Sequence, residues 1–320
     1  MMNWLNTYRR YACDINRINE QAKSDAKGFV EMTEEVFHSD LRLIVEQILT
    51  IPVKRHILLL SGPSSSGKTT SAQKLAEEFR KKGCDVQHIS MDDFYLGVKY
   101  IKKLPNGKPD FESIDALDIP LIKQSIRQLS ETGECVIPKY DFKNSCRADE
   151  QQHLQLSSNA VIIIEGIHAL NPVFSDGMGD GTVTKIYVSV KQGIKNNEDY
   201  VLTHREIRCI RRVVRDYHFR EAHPAYLLDM WSEIVDGEKK YIRPYRYTSD
   251  FTVNSIHIYE PCLMKEPAVR ILEQVSPESA VYDTARHLIE SLSRFESIDS
   301  SLVPQNSLLR EFIGGGNYAY

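Results

Sequence analysis

The sequence predicts an α/β fold in which a parallel β-sheet is flanked by helices. Short apolar runs recur along the chain, and each has the length of a buried strand. Segments with helical spacing lie between these runs, and the first run is followed by a glycine-containing loop. Alternating strands and helices form parallel sheets with helices on both faces, and ligands bind at the carboxyl ends of the strands.

The first 50 residues predict a helical N-terminal segment. Leu41, Ile44, Val45 and Ile48 recur at helical spacing and form one apolar face, which Leu49 continues. Proline disfavours helical geometry in the residue before it, so we expect this helix to end before Pro52.

The elements of the expected core follow in order along the chain. Strands are predicted over 57–60, 86–90, 160–164, 184–190 and 251–254, and helices over 70–82 and 119–129. Gly83 and Gly133 follow the two helices and are typical helix ends. The composition of residues 175–182 predicts a loop.

From about residue 262 onward the pattern is helical again, with an amphipathic helix near 279–295. Its apolar positions fit either a cover for an edge of the sheet or a contact between subunits of a homo-oligomer. We therefore divide the chain into a helical N-terminal segment (1–50), a core (51–261) and a helical C-terminal appendage (262–320).

Composition narrows the class of protein. The 320 residues carry a formal net charge of -4 and a pI of about 6.2, which argues against a general nucleic-acid binder. Six scattered cysteines without a C-x-x-C pair predict reduced thiols in a cytoplasmic protein. No apolar run approaches the length of a membrane span, so we expect neither nucleic acid nor membrane as a partner.

The strongest motif is Gly-Pro-Ser-Ser-Ser-Gly-Lys-Thr over residues 62–69, which follows the first predicted strand and precedes a helix. This is the phosphate-binding P-loop pattern. Its glycines let consecutive N–H groups point at phosphate oxygens, and the helix contributes its positive end. We expect ATP to be bound by Gly62, Pro63, Ser64, Ser65, Ser66, Gly67, Lys68, Thr69 and Thr70. The Thr69 hydroxyl is a candidate Mg²⁺ ligand.

Two acidic positions follow predicted strands. Asp92, in Ser-Met-Asp-Asp-Phe-Tyr, is a candidate general base or Mg²⁺ neighbour, although an aspartate here could simply stabilise a turn. Glu165 ends the run Val-Ile-Ile-Ile-Glu, as the acid of a Walker B element does, although a solvated strand end would look the same. No Asn-Lys-x-Asp motif is present, and Gly166 stands where an AAA-type ATPase would place a second acid.

An arginine-rich helix is predicted near residues 203–218. Its arginines occupy one face, and an apolar face opposes them. Such a helix suits a lid that closes over a triphosphate, where an arginine can add roughly 10³–10⁵ in rate. The alternatives are a solvated helix with acidic partners or a nucleic-acid contact. The arginines are Arg205, Arg208, Arg211, Arg212 and Arg215.

With these motifs in order, the chain resembles the uridine kinase and phosphoribulokinase family of P-loop kinases, and within it a bacterial branch of uridine kinase-like nucleoside kinases. The matching stretches lie within about residues 55–260 and keep the family order. They are 62–69, 90–95, 110–118, 138–147, 162–168 and 208–216.

The resemblance implies a role for each matching residue. Asp92, Lys68 and Arg211 would be catalytic, Arg211 and Arg212 would belong to the lid and contact ATP, and Thr69, Asp92 and Glu165 would hold Mg²⁺. The implied acceptor site consists of Asp92, Tyr95, Glu112, Tyr140, Phe142, Ser145, Arg147 and Arg208.

Two departures from the family pattern concern the acceptor. Uridine–cytidine kinases usually place a pyrimidine-reading histidine where Ser145 stands and an aspartate where Glu112 stands. The expected function is ATP- and Mg²⁺-dependent phosphorylation of a nucleoside 5′-hydroxyl. The alternatives are a kinase of another small alcohol, such as a sugar phosphate or a pantothenate-like compound, and a regulatory NTP-binding module.

Overall fold

The computed structural model describes residues 13–318 apart from 104–106, 108, 142–143 and 180. The strands are β1 (His56–Ser61), β2 (Val86–Ser90), β3 (Glu134–Asp141), β4 (Cys146–Gln155), β5 (Val161–Glu165), β6 (Val183–Ser189), β7 (Ile194–Asn196), β8 (Asp199–Leu202) and β9 (Phe251–Asn254). The helices are α1 (Ile15–Ser24), α2 (Ala26–Ile48), α3 (Lys68–Lys81), α4 (Ile119–Glu131), α5 (His204–Arg220), α6 (Pro224–Tyr241), α7 (Glu260–Leu272), α8 (Tyr282–Ser293) and α9 (Arg310–Ile313).

A five-stranded sheet in the order β2-β5-β1-β6-β9 lies at the centre of the molecule, and all of its pairings are parallel. The predicted α/β fold with a parallel sheet flanked by helices is therefore confirmed. Every residue of β1 is buried, which accounts for its continuous apolar run. Leu58 and Leu60 pack toward the core that contains α2 and α3, whereas Ile57 and Leu59 pack toward the core that contains α4.

The predicted strands and helices agree with the observed ones to within one or two residues at most ends. Two antiparallel hairpins, β3–β4 and β7–β8, are additional elements that the sequence analysis did not predict. The residues of β4 are mostly exposed and polar, so they lack the apolar run by which strands were recognised. These hairpins lie outside the central sheet.

The described parts of the N-terminal and C-terminal segments share one hydrophobic core with the central sheet. Phe37 and Leu41 of α2 belong to the same buried cluster as Leu288 and Leu292 of α8. The amphipathic helix expected near 279–295 is thus confirmed as α8. The proposed boundary between residues 261 and 262 falls inside α7, and the division into domains stays a prediction.

A buried carboxylate links the three segments of the chain. Glu34 of α2 accepts a hydrogen bond from the Tyr259 hydroxyl at 2.7 Å and lies 3.5 Å from His257 Nε2. Ser307, near the C-terminus, donates to the same oxygen. A buried charge needs such partners, so these contacts tie α2 to the region after β9 and to the C-terminal segment.

Two further expectations concern the whole chain. The structure joins none of the six cysteines, all of which lie in the described ranges, by a disulfide. Within the described ranges, no helix is both long enough and apolar enough to cross a lipid bilayer.

Three histidines predict a loss of stability in acid. Burial lowers the pKa of His38, His88 and His168 from 6.5 to about 4. They are neutral in the folded protein at pH 7, and below pH 6.5 the unfolded chain binds more protons than the folded one. The free energy of unfolding should therefore fall as the pH drops from 6.5 to 4, with a slope of up to roughly 4 kcal/mol per pH unit for three protons.

Urea unfolding at a series of pH values measures this slope. We expect His88→Gln to reduce the slope by roughly one third, because one of the three protons no longer titrates. His287→Gln is the matched control, since that side chain is 58% exposed. An unchanged slope in His88→Gln would contradict the assignment.

Candidate functional site

The loop between β1 and α3 has the backbone of a phosphate cradle. A Cβ on Gly62 would lie 2.1 Å from the Val188 carbonyl oxygen, so a side chain has no room there. Gly67 adopts a left-handed conformation with φ +79° and precedes α3 without a side-chain cap. The first N–H groups of α3 are therefore available to an anion.

Three arginines of α5 hold this loop from outside. Arg208 Nη1 donates to the Ser64 carbonyl oxygen at 3.1 Å, and Arg211 Nη1 donates to the Ser65 carbonyl oxygen at 3.3 Å. Arg212 Nη1 donates to Ser64 Oγ at 3.0 Å. These bonds fix the two carbonyl groups toward α5 and so fix the conformation of the loop.

The structure places Arg208 and Arg211 behind the loop, and their expected contacts with the acceptor and with ATP stay predictions. Both side chains are buried, with 1% and 0% exposure. Arg211 forms a two-pronged ion pair with Glu260 at 2.6 and 3.0 Å, and Arg208 pairs with Glu238 at 2.7 Å. A buried guanidinium requires such a partner, and both arginines also hold the loop through its carbonyl groups.

Arg212 is the arginine of this group that points toward the site. Its side chain is 20% exposed, and it lies close enough to Glu112 for the two charges to interact. The lid role of Arg212 stays a prediction.

The predicted metal residues lie together beside the loop. The parallel register places Ser90 at the end of β2 and Leu60 of β1 on either side of Glu165. Glu165 accepts hydrogen bonds from Ser90 Oγ at 3.2 Å and from Thr69 Oγ1 at 3.5 Å. Burial raises its pKa, while the charge of Lys68 opposes the rise. Glu165 is thus a buried carboxylate rather than a solvated strand end.

Asp92 lies on a short 3₁₀ helix, Met91–Phe94, directly after β2. Its backbone N–H donates to Ser90 Oγ at 3.3 Å. Burial and the nearby charge of Glu165 raise the pKa of Asp92 to about 6, and Lys68 counteracts this rise. A carboxylate in this setting, close to the P-loop lysine, is suited to accept a proton.

The neighbouring Asp93 interacts with strand β3 rather than with Glu165. Its carboxylate binds Lys139 Nζ at 2.8 Å and accepts a hydrogen bond from the Tyr140 backbone N–H at 3.3 Å. Sequence alone cannot separate two adjacent aspartates, whereas the structure assigns Asp93 to the hairpin and leaves Asp92 beside Glu165.

The donor set fits a magnesium ion. Thr69 supplies a hydroxyl, and Asp92 and Glu165 supply two carboxylates whose mutual repulsion a cation would relieve. Among the described residues, no group of three or more His, Cys, Asp or Glu side chains forms a metal cage. Mg²⁺ commonly uses one or two carboxylates, with waters and substrate phosphates completing its shell.

An aromatic wall borders Asp92 on the side of the β3–β4 hairpin. The Tyr95 ring lies 5.8 Å from both Tyr140 and Phe111, and its hydroxyl donates to the Phe111 carbonyl oxygen at 3.0 Å. Glu112 follows this wall. Burial raises the pKa of Glu112, and the charges of Arg212 and Lys68 oppose the rise.

The remaining predicted acceptor residues are more scattered. Ser145 lies in the turn between β3 and β4, where its carbonyl oxygen accepts a hydrogen bond from Val98 at 3.1 Å. Arg147 is exposed and pairs with Asp118 at 2.7 Å, and its contact with an acceptor stays a prediction. Phe142 lies outside the described residues.

The sequence analysis assigned no role to several residues that border the site. Tyr241 of α6 donates to Asp110 Oδ2 at 3.2 Å, and its ring lies 6.1 Å from the buried His168. Asp110 and His168 fall within stretches that matched the family pattern, which was the available signal. Glu311, which accepts a hydrogen bond from Thr70 at 2.6 Å, is 241 positions away along the chain and had no local signal.

Comparison with known proteins identifies the family. Residues 57–259 match the model described as the phosphoribulokinase / uridine kinase family, so the chain belongs to this family of P-loop kinases. The uridine kinase of Lactobacillus johnsonii is 25% identical over 197 residues, which cover 59% of this chain and 84% of that protein. The uridine kinase of Lactobacillus helveticus is 27% identical over 196 residues, which cover 58% and 82%.

A solved structure described as a possible uridine kinase from Bacillus stearothermophilus aligns with a TM-score of 0.44 at 19% identity. The alignment covers 67% of this chain and 97% of that one.

The arginine assignments predict two different phenotypes. Arg211→Met should lower the free energy of unfolding by about 3–5 kcal/mol, because it leaves the Glu260 carboxylate buried without its partner. Arg212→Met should cost about 1 kcal/mol, since Arg215 and Arg220 also pair with Asp216. Urea denaturation measures both free energies of unfolding. Equal losses in the two variants would contradict the conclusion that Arg211 forms a buried ion pair and that Arg212 does not.

Proposed function

We propose that this protein is an ATP- and Mg²⁺-dependent kinase that phosphorylates a primary hydroxyl of a small molecule, with the 5′-hydroxyl of a nucleoside as the leading acceptor. The observation that carries the proposal is the position of Asp92. Its carboxylate lies close enough to Glu165 and to the P-loop Lys68 for their charges to interact.

The reaction follows from this arrangement. Asp92 orients the acceptor hydroxyl and takes its proton, while the hydroxyl oxygen bonds to the γ-phosphorus and the bond to the ADP oxygen breaks. Lys68 and Arg212 supply positive charge for the phosphoryl oxygens. Thr69, Asp92 and Glu165 would hold Mg²⁺, which would neutralise further phosphate charge when bound.

Two lines of support favour a nucleoside. Two relatives, of which the alignments with this chain cover 84% and 82%, are named uridine kinases. The Tyr95–Tyr140 wall supplies an apolar surface on which a base can pack, and Glu112 supplies an acceptor for ribose hydroxyls. Ser145 at the hairpin turn cannot carry charge, so the choice of base need not be pyrimidine.

Ser145 also supports a second candidate, because it stands where uridine–cytidine kinases place a pyrimidine-reading histidine. This candidate is a kinase of another small alcohol, such as a sugar phosphate or a pantothenate-like compound. Acceptor-dependent ADP release tests both candidates. Uridine, cytidine, purine nucleosides and these alcohols are offered one at a time with ATP and Mg²⁺. We expect at least one of them to cause ADP release, and mass spectrometry should detect its phosphorylated product. The Lys68→Ala variant is the control for contaminating kinases.

One result with this panel of acceptors would contradict the proposal. ATP hydrolysis that is indifferent to every acceptor would indicate the regulatory NTP-binding alternative. Release with a non-nucleoside alcohol alone would retain the kinase and reassign its acceptor.

Asp92→Asn should lower kcat by about 10²–10⁴, because an amide cannot take the proton. ATP binding, measured by calorimetry, should be largely retained. Asp93→Asn is the matched control: it removes the bond to Lys139 but no group beside Glu165, so its kcat should fall far less. Similar kcat values for Asp92→Asn and the unmodified protein would exclude Asp92 as the base.

A further inference from the structure

A second concave site lies on the opposite side of β1 from the carboxylates. It is a cavity of about 450 Å³ at the ends of β6 and β9, closed by α5, α6 and residues 243–249. Pro63 of the phosphate cradle forms part of its wall. Its volume is in the range of small-molecule sites.

The walls of this cavity carry a large excess of positive charge. One carboxylate, Glu238, lines it together with five cationic side chains, and that carboxylate already binds Arg208 at 2.7 Å. Within the part of the chain that the structure describes, Lys191, Arg205 and Arg243 form no ion pair. The five cationic residues are Lys191, Arg205, Arg208, Arg243 and Arg246.

These charges are close enough to repel one another. The pKa of Lys191 is lowered by burial and by the charge of Arg246. Burial and the charges of Arg208 and Arg205 lower the pKa of His204, which also lines the cavity. Crowded cations without partners are unfavourable unless an anion neutralises them.

A tyrosine hydroxyl in the same cavity also has no partner among the described residues. Tyr187 is 6% exposed and lines the cavity, and its hydroxyl forms no hydrogen bond with any described residue. Arg246 is turned toward a second phenol, that of Tyr247, to which it donates a hydrogen bond. Because Tyr187 lines the cavity, its hydroxyl is available to a ligand there.

We propose that this cavity binds a phosphate-bearing small molecule at a site separate from the triphosphate cradle. Guanidinium groups recognise phosphate oxygens through paired, charge-assisted hydrogen bonds. A phosphate is therefore the favoured anion for a cavity that has three arginines besides the buried Arg208. The site lies over β6 and β9, whereas Asp92 and Glu165 follow β2 and β5 on the other side of β1.

The cavity is also connected to the cradle. Arg208 lines the cavity and donates to the Ser64 carbonyl oxygen of the loop. Because Arg208 is 1% exposed, an anion in the cavity would act on it through its charge. A change in the pairing of Arg208 would reach the loop, so binding at the two sites should be reciprocally coupled.

Calorimetry with inorganic pyrophosphate tests the site directly. The P-loop variant Lys68→Ala should still bind pyrophosphate, because the cavity does not use that lysine. Adding Arg205→Gln and Arg246→Gln to it should raise the Kd by about tenfold or more. Lys27→Gln with Arg286→Gln is the matched control, since it removes the same charge from exposed positions elsewhere.

Two results would overturn the proposal. One is the loss of pyrophosphate binding in Lys68→Ala alone, which would place the anion in the cradle. The other is an equal Kd for the cavity and control variants, provided that circular dichroism shows both to be folded. Because binding is measured without turnover, the outcome is independent of whether the protein proves to be a kinase.

Discussion

The conformation of the phosphate-binding loop depends on two buried arginines. Arg208 and Arg211 are buried behind the loop and bind the carbonyl groups of Ser64 and Ser65. Their own charges are balanced by Glu238 and Glu260, which come from α6 and from the start of α7. A loop of glycines and serines has little packing of its own, so these bonds hold it in the conformation that leaves the N–H groups of α3 free.

This support reaches to the C-terminus of the described chain. Leu308 lies against Gly67, and Glu311 accepts a hydrogen bond from Thr70 at the start of α3. Tyr259 and Ser307 bind Glu34 of the N-terminal helix α2. The terminal segments therefore stabilise the helix whose N-terminus faces the phosphates, which links their packing to the function we propose.

On the acceptor side, the main constraint is the crowding of carboxylates. Asp92 and Glu165 lie close enough for each charge to matter to the other, and Lys68 offsets part of the repulsion. Ser90 bridges the two acids by donating to Glu165 and accepting from the Asp92 backbone. This arrangement favours a bound cation, and the raised pKa of Asp92 suits that carboxylate to accept a proton.

The sequence by itself determined the α/β fold, the order of its main elements, and the loop, aspartate and glutamate that meet at the sheet edge. These features are encoded locally, by apolar runs, helical spacing and a glycine-lysine motif whose spacing is strict. Polar hairpin strands such as β4 escaped detection because they lack that local signal.

Only the tertiary structure decided which charged side chains face the site. Arg211 and Arg212 are adjacent and belong to the same sequence pattern. Arg211 is buried in an ion pair with Glu260, whereas Arg212 lies near Glu112. Likewise Lys139 separates Asp93 from Asp92. The partners Glu260 and Lys139 lie tens of positions away along the chain. A charged side chain is buried only where its partner lies, so a local sequence pattern cannot predict which of two adjacent charges is buried.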